Sequence, residues 1–253
     1  MTAGIAMRLA TAAWLFQAAA GSNRDIRPFP DPDLFFEAVR TNLARSQDDQ
    51  KLFAYKERRT DVNLNPFGRV GTGGVRVVEV TPVSGGTAVM RRVVERDGKP
   101  VTDSVPVRRE LRMSERGRSV VDDVADTLDV SIKRRDHLNG RDAIVAVFTR
   151  RAGAKPRTRE GRIASNFSGE IWIDEQTREV ARIEASATDD VVYGYGMLAR
   201  LNKGATVTLR RERVDDNLWL PVSIRFNGEG RALLFRKLTI NFALDWFDYR
   251  RVL

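Results

Sequence analysis

The sequence predicts a mainly β fold, an antiparallel meander of about nine to eleven strands forming a sandwich or barrel, with one or two helices covering it. Three observations predict it. From Leu52 onward, apolar and polar residues alternate with a period of two over most of the chain. Turn residues separate the alternating runs, with Asp97-Gly98 and Asn139-Gly140 as the clearest tight-hairpin signals. Ahead of Leu52, one stretch carries the helical period instead.

The chain has 253 residues, of which 42% are apolar, enough to bury a core. No fixed-period repeat or low-complexity linker divides it, so residues 21–253 read as one domain. Charged residues make up 30% and the net charge is +9, yet both signs are interleaved, as on a solvated surface rather than a dedicated anion-binding face.

Taken in order, residues 1–20 carry Arg8, an apolar run from Leu9 to Phe16, then Ala18-Ala19-Ala20. That order matches a secretory signal peptide, so the chain is expected to be exported, to the periplasm or beyond. At ~1.5 Å rise per residue the run is too short to cross a bilayer core of ~30 Å. Removing residues 1–20 takes away Arg8 alone and lowers the charge from +9 to +8. There is no Cys, hence no disulfide, no thiolate metal site and no lipidated Cys.

Asp31 suits a helix cap and Pro32 the first helical position, where its missing N–H is not needed. The helix is expected to run to about Arg45 with Leu34, Phe35, Ala38, Val39 and Leu43 as its apolar stripe. KLFAYKERR then begins the strands. VGTGGVRVVEVTPV and GTAVMRRVVERDG follow, joined across Ser84-Gly85-Gly86, and DVSIKRRDHLNGRDAIVAVFTRR forms the next hairpin. GEIWIDEQTREVARIEA, ATVTLRRERVDDNLWLPVSIRFNGEG and RALLFRKLTINFALDWFDYRRV complete the set. Val105 to Asp126 reads as a second helix weakened by Gly117, and AGAKPRTRE as a basic loop.

Few residues offer chemistry. The lone His137 sits beside the Asn139-Gly140 turn near Arg134 and Arg135, and no GxSxG elbow accompanies it, so a nucleophile–base pair is not expected. No zinc, calcium, phosphate-loop or dinucleotide pattern appears, and no cofactor or metal is expected. Arg150, Arg151, Lys155, Arg157, Arg159 and Arg162 cluster, but without interleaved aromatic residues, so they read as a solvated or anion-facing patch rather than a nucleic-acid site. The most suggestive segment is apolar. Asp189 to Gly204 holds Val191, Val192, Tyr193, Tyr195, Met197, Leu198 and Leu201 where a short polar turn would suffice. It reads as a short helix or loop packed on the sheet, as a flap over a cavity, or as both.

The GEIWIDEQTREVARIEA hairpin carries Glu170, Asp174, Glu175, Glu179 and Glu184, spread so that no two are forced into acid–base partnership. Asp174 suits the start of its turn, and Arg178 stands where positive φ is needed. Its register stays open: an even loop sets Trp172 on the face of Ala181 and Ile183, and an odd loop sets Ile171 and Ile173 there. Trp172-Ile173-Asp174, Thr177-Arg178 and Val180 to Ile183 resemble the strand–turn–strand signature of the LolA-like outer-membrane lipoprotein-sorting family. Trp219-Leu220-Pro221 is similar to that family's following hairpin, and Phe53-Ala54-Tyr55 to its first strand after the leader and helix.

The resemblance implies an antiparallel, incompletely closed β-barrel covered by helices, with an apolar interior that shields lipid chains and a basic residue inside it that aids lid closure. The many Arg positions offer no unique match for that residue. The expected function is therefore a non-enzymatic periplasmic protein that binds an acyl chain, lipid or lipoprotein. Val191, Val192, Tyr193, Tyr195, Met197, Leu198, Leu201 and Trp172 are expected at the cavity or lid, and Arg150, Arg151, Lys155 and Arg157 toward a headgroup. The alternative is an envelope sensor or protein-interaction module on the same sheet with a filled core. Peripheral membrane contact fits either reading.

Overall fold

The computed structural model describes residues 27–64, 72–83, 87–110, 120–193, 199–215, 218–232 and 236–252. The expected leader, residues 1–20, lies outside them. Helix α1 spans Pro32–Gln50, longer than the expected end near Arg45. Its cap is the expected one: the Asp31 side chain accepts from the Leu34 N–H at 3.0 Å, and Pro32 opens the first turn. Nothing in RSQDDQ breaks a helix, so it continues until Lys51. Phe35 and Val39 are buried and Leu43 packs beside them, but Leu34 points to solvent, 76% exposed.

The strands are β1 (Phe53–Leu64), β2 (Thr72–Pro82), β3 (Ala88–Arg96), β4 (Lys99–Pro100), β5 (Val107–Glu110), β6 (Leu128–Leu138) and β7 (Arg141–Arg150). They continue as β8 (Phe167–Asp174), β9 (Val180–Ala187), β10 (Val191–Tyr193), β11 (Ala199–Leu201), β12 (Thr206–Asp215), β13 (Leu218–Ala232) and β14 (Arg236–Arg251). Two short helices, α2 (Val120–Thr127) and α3 (Arg159–Ala164), interrupt them.

All fourteen described strands join one antiparallel sheet, whose main path runs β4-β3-β2-β1-β14-β13-β12-β9-β8-β7-β6. That path has the upper number of expected strands, and the short β5, β10 and β11 are additions. The first long strand lies beside the last, Arg58 opposite Asp245, while β4 and β6 end the path without pairing to each other. The result is an incompletely closed barrel. Asp97 and Gly98 take φ of 51° and 78°, and Asn139 and Gly140 take 53° and 77°, the mirror-image turns that match strand twist.

Two segments differ from expectation. Only residues 120–127 of the Val105–Asp126 stretch are helical among those described; Val107–Glu110 pairs with β3 as an exposed edge strand. Valines and arginines with no apolar face at helical spacing favour the strand there. Among the described residues of Asp189 to Gly204, Val191–Tyr193 and Ala199–Leu201 are strands rather than a helix. Val191 opposes Leu201 in a two-stranded extension whose β11 pairs with β13. Gly230 permits this contact, because a Cβ there would overlap the Arg200 carbonyl.

The two largest clusters form on the helix-bearing side of the sheet, and a smaller one of Ala143, Val145 and Trp172 on the other. Phe35 and Val39 of α1 bury Ile144, Ala146, Ile173 and Val180. Val124 of α2 and Ile163 of α3 close a second cluster of Leu128, Phe148, Phe167, Ala185, Ala187, Val191, Leu201 and Ala205. Buried Asp123 ties the two short helices together, accepting from the N–H of Arg157 at 3.0 Å and of Thr158 at 2.8 Å.

The β8–β9 turn is the dock for α1. Arg178 has φ 61°, as its position in the turn requires. Asn42 donates to the carbonyls of Thr177 and Arg178 at 2.9 and 3.3 Å, and the Arg178 guanidinium lies 4.9 Å from the Phe35 ring centre. Asp174 accepts from the Thr177 N–H at 2.7 Å and from Arg141, closing the turn from below.

Candidate functional site

Register carries the helix-bearing face across the sheet. Ile171 opposes Ala146 on β7 and Ile183 on β9. Ile183 and Ala185 oppose Leu209 and Val207 on β12. These oppose Ile224 and Phe226 on β13, which in turn oppose Leu244 and Phe242 on β14. Directly opposed residues share a side of a sheet, so one apolar face runs from β7 to β14. Near β7–β9 it lies beneath the helices. Toward β14 it is only half-buried, at Ile224, Phe226, Phe242, Leu244 and Trp246. Phe226 and Phe242 stack there, with ring centres 5.4 Å apart and planes 14° from parallel.

Along β1 the same face becomes polar. Glu57, Arg59 and Asp61 oppose Trp246, Leu244 and Phe242, and Tyr55 follows on the same side at spacing two. Arg59 donates to Asp61 at 2.9 Å and lies 5.0 Å from the Phe242 ring centre, a basic group set against the aromatic strip. Glu57 accepts from Arg91 of β3 at 2.8 Å. Tyr55 and Tyr249 have ring centres 5.4 Å apart, and Tyr249 donates to the Pro221 carbonyl at 2.7 Å. Burial pushes both phenols above their ordinary value, so each stays a neutral donor in the physiological range.

Where the face meets the C-terminal half of α1, it holds a buried ion pair. Glu179, 1% exposed, accepts from Arg211 at 3.2 Å and from Arg45 at 3.3 Å. Arg211 also donates to the carbonyls of Val180 and Trp219 at 3.1 and 2.6 Å. Burial raises Glu179, an effect that Arg211 and Arg45 oppose; burial likewise lowers Arg211, which still keeps its proton because guanidinium starts so high. A cavity of about 250 Å³ lies beside this pair, lined by Arg45, Asp49, Leu52, Phe53 and Leu218 among others. A second, of about 480 Å³, is lined by Arg27, Arg141, Asp142, Asp174 and Glu175 at the β6–β7 and β8–β9 turns.

The expected cavity residues are placed unequally. Val191 and Leu201 belong to the buried cluster under α2 and α3, as wall rather than flap. Val192 and Tyr193 form β10 with Arg200 and Ala199 opposite, and Tyr195, Met197 and Leu198 lie outside the described residues. Trp172 is a correction. Its turn puts Ile171 and Ile173 on the helix-bearing side, with the register slipping between Trp172 and Ile173, so Trp172 falls on the opposite side against Ala143 and Val145. There its indole donates to Asp136 at 3.0 Å, and the guanidinium groups of Arg182 and Arg134 lie 5.0 and 5.8 Å from its ring centre.

Among the expected headgroup residues, Arg150 and Lys155 are exposed. Arg151 holds Asp129 at 2.9 Å and the carbonyls of Asp126 and Leu128, a staple between β7 and the end of α2. Arg157 gives its backbone N–H to Asp123. His137 is exposed, its Nε2 3.0 Å from Asp142. Among the described residues no group of three or more His, Asp or Glu is placed to hold a metal, and no helix is long and apolar enough to cross a membrane. Tyr55, Glu57, Arg59 and Arg91 are the site residues that sequence reasoning missed. The period of two in FAYKERR already set three of them on one face.

Fold and site together define an incompletely closed antiparallel β-barrel with helices on its apolar face and a charged, tyrosine-bearing end to that face. The chain is similar to a putative outer membrane lipoprotein-sorting protein domain from Vibrio parahaemolyticus, at 13% identity and a TM-score of 0.38, over 87% of this chain and 93% of that one. It is also similar to a DUF1329 family protein from Desulfovibrio piger, at 15% identity and a TM-score of 0.37, over 85% and 92%. A LolA superfamily protein, NE2245 from Nitrosomonas europaea, is similar at 13% identity and a TM-score of 0.32, over 83% and 92%. No family model matches the chain, and no curated protein sequence does.

Proposed function

We propose that the protein holds the acyl chain of a lipid or lipoprotein in the cell envelope, against the half-buried strip of Ile224, Phe226, Phe242, Leu244 and Trp246, with no chemical step. The observation that carries this reading is the strip itself. It continues the face that the helices cover, yet the described helices leave its side chains half-exposed. Burying about 200 Å² of chain against it is worth about 5 kcal/mol before the cost of association. The export signal and the LolA-like hairpin motifs of the sequence support the same reading. Tyr195, Met197 and Leu198, which follow β10 in the sequence and lie outside the described residues, act in this proposal as a lid.

The experiment is uptake of a fluorescent fatty-acid probe by the purified chain, with Phe242→Asp and Met197→Asp/Leu198→Asp as variants. Saturable uptake lost in Phe242→Asp supports the strip, and loss in the double variant supports the lid. Absence of uptake by the intact protein, with no lipid found in native mass spectrometry, sinks the carrier reading. The filled clusters beneath α1, α2 and α3 would then favour a sensor or protein-interaction module built on the same sheet.

A further inference from the structure

We propose that the β1–β2–β3–β5 end of the helix-bearing face receives an anionic headgroup, so that the cargo is an acidic amphiphile; this rests on the acyl-chain reading above. Register assembles the site. Tyr55 opposes Val80, Val80 opposes Arg91, and Arg91 opposes Val107. Arg109, two residues along β5, opposes Val89. All of these share one side of the sheet, the side on which Tyr55 packs against Val80 and Val89.

Arg91 and Arg109 are thus diagonal neighbours on adjacent strands, about 7–8 Å apart at the backbone, a span that lets both guanidinium groups reach one carboxylate or phosphate. The floor between them is apolar, with Val80 fully buried and Val89 7% exposed, so an anion here is partly shielded from water. Val107 stands 65% exposed beside Arg91, apolar surface that the described residues leave uncovered.

Charge balance leaves a place for the anion. Glu57 takes Arg91 at 2.8 Å, and Arg59 is matched by Asp61 at 2.9 Å. Arg109 is exposed and makes no ion pair or hydrogen bond with the described residues, and Arg76 opposes Arg59 on the same side, so this end of the face carries positive charge in excess. The Tyr55 hydroxyl likewise makes no hydrogen bond with the described residues and supplies a neutral donor beside the two cations. The half-buried aromatic strip begins at Trp246 opposite Glu57, one strand from Tyr55 and three from Arg91, whose guanidinium reaches back across β2 to Glu57; Arg109 stands one strand further out. A chain lying on the strip therefore brings its polar end to Arg91, Arg109 and Tyr55.

The test uses the full chain, a fluorescent long-chain fatty acid, and its methyl ester. The proposal expects the acid to bind about tenfold more tightly than the ester, the equivalent of one charge-assisted hydrogen bond. Arg109→Gln should remove that preference and leave ester affinity unchanged, whereas Arg108→Gln, on the other side of β5, should keep it. Short-chain phosphatidic acid that displaces the fatty acid, where phosphatidylcholine does not, would assign a phosphate source; failure of both to displace it would assign a carboxylate. Equal binding of acid and ester, or a preference surviving in both Arg109→Gln and Arg91→Gln, would overturn the headgroup site alone. If neither acid nor ester binds, the carrier reading falls and the headgroup site with it.

Discussion

At the scale of single residues, the strongest constraint is Glu179, a carboxylate buried to 1% exposure whose three partners come from two different elements. Arg211 arrives from β12, and Arg45 and Ser46 from α1. Replacing both charges with apolar groups of similar volume is often close to neutral, but removing one strands the other in the core. Glu179→Ala is therefore expected to cost about 3 kcal/mol in urea unfolding, with Glu179→Leu/Arg211→Met recovering most of the loss. Equal loss in the single and double variants would show that the pair does not act as a unit. This residue was visible in the sequence only as one of five carboxylates in a hairpin. Its partner stands 32 positions further on, and no local period connects them. By contrast, the positive φ of Arg178, the Asp31 cap and the Asn139-Gly140 turn were legible, because each depends on bonds made within a few residues.

At the scale of elements, the β8–β9 hairpin resolves by register rather than by chemistry. Its turn leaves Ile171 and Ile173 facing the helices, and Trp172 outside between Arg134 and Arg182. Loop parity decides this, and alternating sequence alone leaves both parities open. What the turn does is hold α1 through Asn42, so Asn42→Ala should destabilise the protein by about 1–2 kcal/mol, since it leaves two backbone carbonyls short of a donor. Hydrogen exchange should show α1 opening before the sheet in that variant; unchanged protection of α1 would refute the docking role. The β10–β11 extension depends on Gly230 in the same local way. Gly230→Ala forces a Cβ into the Arg200 carbonyl and should expose Val191 and Leu201 to exchange without opening β8 or β9. The second helix expected across Val105 to Asp126 is absent at its start, where edge pairing with β3 offers Val107–Glu110 a ladder of backbone bonds.

At the scale of the whole molecule, the decisive contact is the least local one: β1 beside β14, which joins the two ends of the strand series and makes a barrel of what the sequence shows only as a meander. Charge is distributed on that barrel as pairs across neighbouring strands, and pH tests how much they contribute. Hydrogen bonds from Arg134 and Lys133 hold Glu170 at about 2, against an ordinary 4.5. The Trp172 indole and the His137 N–H hold Asp136 low; burial opposes the shift of Asp174, but Arg141 and Thr177 overcome it. Such groups bind protons less tightly folded than unfolded, so their stabilisation is complete above the ordinary carboxylate range and disappears as pH falls through the folded value. Glu179 has the opposite sign: raised by burial, it favours the fold below its unfolded value and loses that contribution as pH rises through the folded one. The Lys203 N–H and Arg200 hold Asp190 low as well, so with four groups against one the urea midpoint is expected to fall between about pH 5 and about pH 2. In Lys133→Met/Arg134→Met, Glu170 returns toward its ordinary value, and the fall should be shallower over the same window. Parallel curves for the two proteins would show that the cross-strand cations on the outer side do not stabilise the barrel through Glu170.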